Sequence, residues 1–409
     1  MSVQTKKPLF RSPLMATQRM RMGDIQSLLR NEPENFMRKF EAGANSGDIT
    51  LEGIRDINSL WRATAYERID VQLPDISGQV RTITTSAFPI ITGTLVIAAI
   101  NARYAMIPTI GQELVTEMDD NKKVSTIVGI STLDSQKDEV KEGENFPEIG
   151  ASEEKIEIRH LLNGRRLTMS ADVISENELG NFALRVNDLT DLVALRIEKQ
   201  TLSRVTDHNG SGSSPAEPYA YRPNGVGTAL YSASANTPGT RAPSGNRVTN
   251  NGLSDETNLE AARTRLNTFR DDNGDRIGSN RSESQILVPD AKIGTLSKIL
   301  NSEYVPGVVN EKSNWGPGGR FGIPMERVLS SPVVDNLSTS AWYYGAFRRQ
   351  FIRKWKLRFE YVSLGMDTQA FLNARIAAQF RIAWDCEIGA RDYVFVVQNL
   401  DGTTAPVDE

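Results

Sequence analysis

The chain has 409 residues, of which 39% are hydrophobic and 24% charged, as in an ordinary globular protein with room for two or three packed domains. Its 47 Lys and Arg against 51 Asp and Glu give a formal net charge of -4, which argues against DNA recognition as the main function. A single cysteine, Cys386, excludes an internal disulfide framework, and two histidines without a CxxC pair leave too few ligands for zinc. We therefore predict no metal and no cofactor, and synthesis in a reducing cytoplasm.

The first 22 residues are basic and contain almost no acid. They lack the apolar run that a secretory signal needs, so the pattern predicts either a mobile basic arm or a solvated tail. The positive charges of this segment are Lys6, Lys7, Arg11, Arg19 and Arg21. From Gly23 to Tyr66 the apolar spacing is helical.

The most apolar segment is "FPIITGTLVIAAI", from Phe88 to Ile100. It is shorter than the roughly 20 residues that a helix needs to cross a bilayer. We predict a buried helix or strand here and no membrane partner.

A charged arm is predicted after this segment. Side chains alternate along "VSTIVGISTL" from Val124 to Leu133, which is strand periodicity. We predict one strand from Val124 to about Val140 and a return strand from about Glu153 to Ser170, each reaching roughly 50 Å. The distal part is too charged to form a core, so it needs support from a neighbouring subunit. An alternative is a compact hairpin between "KIEIRHLL" and "RRLTM", because Asn163-Gly164 is a strong two-residue turn signal.

The longest helix is predicted from Asn181 to about Val205, where apolar residues recur with helical spacing over roughly 35 to 40 Å. Residues 207 to 252 are dense in Gly, Ser, Pro and Asn, which predicts a surface loop or a partly mobile insertion. A helix, the buried strand "QILVP" and another helix follow, as in a small mixed domain. The tail from Ala341 to Asn399 is predicted to hold strands around one helical segment.

Candidate catalytic groups are few. His160 lies in an alternating strand and His208 in the Gly/Ser-rich loop, and neither lies near a G-x-S-x-G elbow, so we interpret both as interface or solvated histidines. The glutamates between residues 139 and 157 could form the acid/base pair of a hydrolase. We interpret them instead as a solvated face and predict that the chain is not an enzyme.

The order of these segments resembles a known family. "VKEGENFPEI", a strand, "LNGRRLTMSADVI" and a long helix resemble the extended loop and spine helix of tailed-bacteriophage major capsid proteins of the Hong Kong 97 type. "QILVPDAKIGTLSKILNSEY" and "GRFGIPMERVLSSPVV" resemble the axial domain, and "AWYYGAF" resembles the return to the peripheral domain.

The resemblance implies an α+β fold with an N-terminal arm, an extended β-hairpin loop, a long spine helix with a β-rich peripheral domain, and a mixed α/β axial domain. The predicted boundaries are a basic arm and helical segment that could serve as an internal scaffold (1–75), the N-arm (76–123), the extended loop (124–173), the spine helix (174–206), the axial domain with its 207–252 insertion (207–340), and peripheral strands with the C-terminus (341–409).

The resemblance also implies a function. The chain would form pentamers and hexamers of an icosahedral shell around the double-stranded DNA of a tailed phage. It would be assembled in the host cytoplasm and located in the virion. Portal protein would be a partner, with a scaffold, head protease or decoration protein as candidates. An encapsulin-like nanocompartment shell is the alternative within the same fold.

Site residues follow from the same resemblance. Glu142, Phe146 and Pro147 would lie near the loop tip, and Arg165 and Arg166 on the return limb would meet acids of a neighbouring subunit. The alternative for the two arginines is that they solvate a strand. The basic start would face the packaged genome and bind phosphate without sequence preference.

Overall fold

The structure is a computed structural model of the whole chain. It describes residues 42, 44–46, 68–74, 80–107, 109–128, 155–170, 172, 176, 179–207, 230–233, 241–270, 274, 276–277, 283–301, 323–364 and 376–402. These residues form two compact units. The first draws on Met1–Ile107, Gly164–Leu192 and Glu360–Ile382, and the second on Pro108–Asn163, Val193–Phe359 and Ala383–Glu409. The domain boundaries predicted from the sequence stay a prediction.

Helices and strands both contribute, which confirms the α+β class. The helices are α1 (Ala87–Met106), α2 (Gly111–Leu114), α3 (Leu179–Thr206), α4 (Glu256–Asn267), α5 (Asp290–Asn301), α6 (Pro332–Leu337) and α7 (Phe347–Gln350). The strands are β1 (Arg68–Pro74), β2 (Val80–Ser86), β3 (Thr116–Asp119), β4 (Val124–Val128), β5 (Lys155–Arg159), β6 (Asn163–Ser170), β7 (Arg247–Val248), β8 (Gln285–Pro289), β9 (Val328–Ser331), β10 (Trp342–Gly345), β11 (Phe351–Leu364), β12 (Ile376–Ala390) and β13 (Val396–Asn399).

The first unit holds an antiparallel hairpin of β1 and β2, which runs directly into α1. Ile91, Leu95 and Val96 of α1 are buried. The apolar segment, predicted to be a buried helix or strand, is therefore a buried helix. None of the helices in the described ranges combines the length and apolar character that a bilayer span requires. Within this unit the rings of Phe182 on α3 and Phe380 on β12 lie 5.8 Å apart.

The second unit is built on a five-stranded sheet in the order β7-β13-β10-β8-β9. The central strand β10 is antiparallel to both neighbours, whereas β8 and β9 run parallel. Such parallel strands need both faces covered. Helices α4 and α6 supply this cover, since α4 packs on β13 and α6 on β8. The core includes the fully buried Trp342, whose indole donates to the carbonyl of Asn251 at 2.8 Å.

A second sheet has the order β3-β11-β12-β6. Its long strands β11 and β12, like α3, each contribute residues to both units. In the second unit β3 runs parallel to the start of β11, with Thr116 opposite Ile352.

Several predicted elements are confirmed. The long helix is α3, with 28 residues and a length of about 42 Å. The "QILVP" strand is β8, followed by helix α5. Helix α4 begins where Asp255 and Asn258 form a capping box.

Three sequence predictions are wrong. The return limb is not one strand, because β5 pairs with β4 whereas β6 belongs to the sheet of β12. The alternative hairpin through Asn163-Gly164 is wrong for the same reason. The Gly/Ser/Pro-rich stretch is not wholly a surface loop, because Leu230, Tyr231 and Ala242 are buried in the core of the second unit. Its end adds strand β7 to the sheet.

The tail holds strands around one helical segment among its described residues, as predicted. The helix is the short α7, and Ile376–Ala390 is all strand. The basic start and most of the helical pattern before Tyr66 lie outside the described residues. Only residues 42 and 44–46 of that pattern are described, and they are helical.

Candidate functional site

The stem of the predicted arm is a two-stranded antiparallel pair. Its register runs from Val124 opposite Arg159 to Val128 opposite Lys155. The distal arm, residues 129–154, lies outside the described residues. The apolar side chains Ile127 and Ile158 of the stem belong to the core of the second unit, so the stem is anchored by burial at its base. Gly389 of β12 allows this close packing, because a Cβ there would lie 2.5 Å from Ile158 Cδ1.

A chain of buried polar side chains joins the end of β5 to strand β12 of the four-stranded sheet. His160 lies directly after β5, and its backbone N–H donates to the carbonyl of Lys123 at 3.1 Å. Its Nε2 lies 3.0 Å from Ser125 Oγ, and its Nδ1 lies 3.0 Å from Asp385 Oδ1 on β12. The side chain of His160 is fully buried.

The chain continues from Ser125 to β11. Ser125 Oγ donates to Asp120 Oδ2 at 2.6 Å, and Lys354 Nζ on β11 donates to the same oxygen at 3.0 Å. The backbone N–H of Lys122 also donates to Asp120. These hydrogen bonds, with that from Ser125 the largest cause, hold the pKa of Asp120 well below its usual value.

This arrangement of serine, histidine and aspartate has the contacts of a hydrolase triad but not its chemistry. Ser125 Oγ donates its proton to Asp120 rather than to Nε2 of His160, so it is not oriented as the serine of a triad. Ser125 is also fully buried, which keeps substrate from Oγ. The prediction that His160 is an interface or solvated histidine is wrong, because its side chain is fully buried within the chain, between Ser125 and Asp385.

A second buried cluster joins α3 to β3 and β11. Arg353, which is almost fully buried, places Nη1 3.0 Å from Glu117 Oε1 and donates through Nη2 to Thr201 Oγ1 on α3. One turn earlier on α3, Glu198 accepts the backbone N–H of Gly111 at 3.0 Å. Burial raises the pKa of Glu198.

A third buried pair joins α3 to β12. Arg204 Nη2 lies 3.0 Å from Glu387 Oε1, and Gln200 Nε2 donates to Glu387 Oε2 at 3.0 Å. Burial raises the pKa of Glu387, while the charge of Arg204 opposes that rise. In the second unit, α3 is therefore joined to β12 by a buried ion pair and to β11 by a buried hydrogen bond, while the arm stem is joined to β11 and β12 through Asp120 and His160.

Exposed apolar side chains surround the base of the stem. Val124 is 41% exposed, Leu161 48% and Leu162 66%. We call these three residues the stem patch. Clustered exposed apolar side chains indicate a surface that a partner covers. The sequence predicted an arm that needs support from outside, but it did not single out these residues.

The predicted site residues are described only in part. Arg165 and Arg166 lie on β6 and are both exposed. The tip residues Glu142, Phe146 and Pro147 and the five basic residues of the start lie outside the described residues. Within the described part of the chain, no three His, Cys, Asp or Glu side chains come together as a metal site requires.

Comparison with known proteins identifies the family. The family model described as phage capsid protein matches residues 162–399, which is more than half of the chain. A comparison with curated proteins finds no match.

Solved structures similar to the chain include three particles. The virus-like particle from Pyrococcus furiosus is 8% identical with a TM-score of 0.39, covering 74% of this chain and 96% of that one. The capsid of the native GTA particle is 9% identical with a TM-score of 0.43, covering 73% and 92%. The capsid of Cyanophage P-SCSP1u is 12% identical with a TM-score of 0.40, covering 72% and 88%.

The family match includes β6, the spine helix α3, the five-stranded sheet and the long strands β11 and β12. They include most of the segments on which the resemblance was based, in the predicted order; "VKEGENFPEI" of the extended loop lies before the matched range. The prediction of a major capsid protein, a structural component of the virion, is thereby confirmed. The chain belongs to the phage capsid protein family.

Proposed function

We propose that the chain assembles as pentamers and hexamers into an icosahedral shell around the double-stranded DNA of a tailed phage, with assembly in the host cytoplasm. The observation that carries the proposal is the stem patch. Val124, Leu161 and Leu162 stay exposed although the stem beneath them is anchored in a core. Burial of such residues at contacts between copies would stabilise each contact by roughly 25 cal/mol per Å² of apolar surface.

The arm would extend this contact to a neighbouring subunit. Residues 139 to 154 carry six glutamates and one lysine, and Glu142, Phe146 and Pro147 belong to this stretch. Exposed Arg165 and Arg166 on β6 would meet acids of a neighbour. Each exposed pair contributes only about 0 to 1 kcal/mol, but a shell repeats it at every equivalent contact.

The basic start would face the packaged genome. Lys6, Lys7, Arg11, Arg19 and Arg21 would neutralise phosphates without reading sequence. A portal protein, and a scaffold, head protease or decoration protein, would complete the assembly. An enzymatic role is not proposed.

Assembly is tested on the recombinant full chain by light scattering and negative-stain microscopy at rising protein concentration. Closed shells, or rings of five and six, are the expected result. A stable monomer at every concentration, with scaffold and portal supplied, would refute the proposal. Shells that form only around a cargo enzyme and exclude DNA would instead indicate a nanocompartment.

Matched variants then test the surfaces. Leu162→Lys should raise the concentration at which shells form by about tenfold or more. A tenfold change corresponds to about 1.4 kcal/mol of association free energy. Met325→Lys, at another exposed apolar residue of the second unit, is the control. Arg165→Glu with Arg166→Glu should impair assembly more than Arg185→Glu, which changes an exposed arginine on α3. Circular dichroism checks that each variant is folded.

A further inference from the structure

A cavity of about 460 Å³ lies in the second unit, apart from the arm stem and the stem patch. It is lined by residues from β3, β8, the turn before β9, and α7. Among them are three arginines and one carboxylate: Arg327, Arg348, Arg349 and Glu283. The lining therefore carries an excess of positive charge, in a chain whose overall formal charge is -4.

The guanidinium groups are held in place by the protein. Arg348 donates through Nε to the carbonyl of Glu113 at 2.9 Å, while its own carbonyl accepts from Thr116 Oγ1 at 2.8 Å. Arg349 lies over the ring of Phe395, 4.8 Å from its centroid. Both arginines are exposed, so their fixed positions do not remove them from solvent.

Among the described residues, neither Arg348 nor Arg349 has a carboxylate within hydrogen-bond distance. Arg349 Nη1 lies 3.8 Å from Glu283 Oε2, a distance too long for a hydrogen bond. Among the described residues, no carboxylate lies within ion-pair distance of Arg348. Thr116 and Gln285 place a hydroxyl and an amide in the same lining.

The geometry points to an oxyanion site: we propose that this cavity binds phosphate groups. Guanidinium groups present paired N–H donors that fit phosphate oxygens, and several of them converge on one cavity. The volume of the cavity is within the range of small-molecule binding sites. The phosphates could come from a free polyphosphate or from a nucleic-acid backbone, which share this chemistry.

Calorimetric titration of the full chain at low ionic strength tests the site, with pyrophosphate and a short DNA duplex as the two probes and sodium chloride at matched ionic strength as the blank. Arg348→Gln should weaken pyrophosphate binding about tenfold or more, since it removes the charge-assisted hydrogen bonds of one guanidinium to the phosphate oxygens. Arg196→Gln, an exposed arginine on α3 outside the cavity, should leave the affinity unchanged.

A variant that binds pyrophosphate more tightly serves as a second test, because misfolding cannot explain an increase in affinity. Glu283→Gln removes the one carboxylate among the lining residues and should tighten pyrophosphate binding about threefold. If the duplex binds and pyrophosphate does not, and Arg348→Gln abolishes binding of the duplex, the site recognises the nucleic-acid backbone. The proposal is overturned if neither probe binds above the chloride blank, or if Arg196→Gln and Arg348→Gln weaken binding equally.

Discussion

Replacing Asp207 with asparagine should remove a pH-dependent loss of stability from the second unit. Asp207 follows the last residue of α3 and has a positive φ of 49°. Its Oδ2 accepts the backbone N–H of Leu230 at 2.7 Å. Burial raises its pKa to about 7, although the hydrogen bonds from the N–H groups of Leu230 and Tyr231 oppose the rise. Asparagine keeps the acceptor and tolerates positive φ, but it cannot ionise.

The magnitude follows from the two pKa values of this group. In the unfolded chain an aspartate has a pKa of about 3.9. Because the folded value is higher, the folded state binds the proton more tightly, and stability falls as the pH rises towards 7. At about 1.36 kcal/mol per pH unit, the wild type should lose about 2 kcal/mol between pH 5.5 and 8 that Asp207→Asn does not lose.

Urea unfolding of the unassembled subunit measures this difference. Curves at four or five pH values between 5.5 and 8 give the free energy of unfolding for both proteins. Asp191→Asn is the control: the hydrogen bond from Arg103 lowers the pKa of Asp191, so this carboxylate stays ionised throughout the range. Its replacement should shift the curve without changing the slope. Parallel pH profiles for wild type and Asp207→Asn would show that Asp207 is not a buried acid with a raised pKa.

Three further variants test the packing. Gly345→Ala should lower the free energy of unfolding by about 3 kcal/mol or more, because φ is 153° and a Cβ would collide with the carbonyl of Phe395; no loss would refute this close approach. His160→Ala should cost about 3 to 5 kcal/mol in urea unfolding, since it leaves buried Asp385 without its partner, and a cost below about 1 kcal/mol would contradict the buried chain. Arg358→Ala breaks the exposed ion pair with Asp119 and should lower the free energy of unfolding by no more than about 1 kcal/mol. A larger loss would contradict the exposure of this pair.

Elements with a strong local pattern could be predicted from the sequence. The 28-residue α3 repeats its apolar residues at helical spacing over seven turns, so its period is unambiguous. The run "QILVP" is short, apolar and bounded by polar residues, and it forms β8.

Elements that depend on distant partners could not be predicted. The return limb has strand periodicity on both sides of His160, and the periodicity does not show that β5 and β6 enter different sheets. The interruption falls where the buried imidazole meets Asp385, 225 residues later. Likewise the stretch around Leu230 looked too polar for a core, yet its few apolar residues fill space in the second unit. Composition averages over such a segment, whereas packing depends on individual side chains.

The buried charges of the second unit bear on assembly as well as on stability. Replacing a buried ion pair by apolar residues of similar volume is often neutral or stabilising, so stability alone does not explain the buried His160–Asp385 and Arg204–Glu387 pairs on β12. Ion pairs and hydrogen bonds have strict geometry, however, and they fix the register of the groups they join. The chain from Lys354 to Asp385 fixes the base of the arm stem, and the pairs of Arg353 and Glu387 fix the end of α3. In the proposed shell, a stem with a fixed register would present the stem patch to a neighbouring subunit in one orientation, and this specificity is what a wholly apolar core would lack.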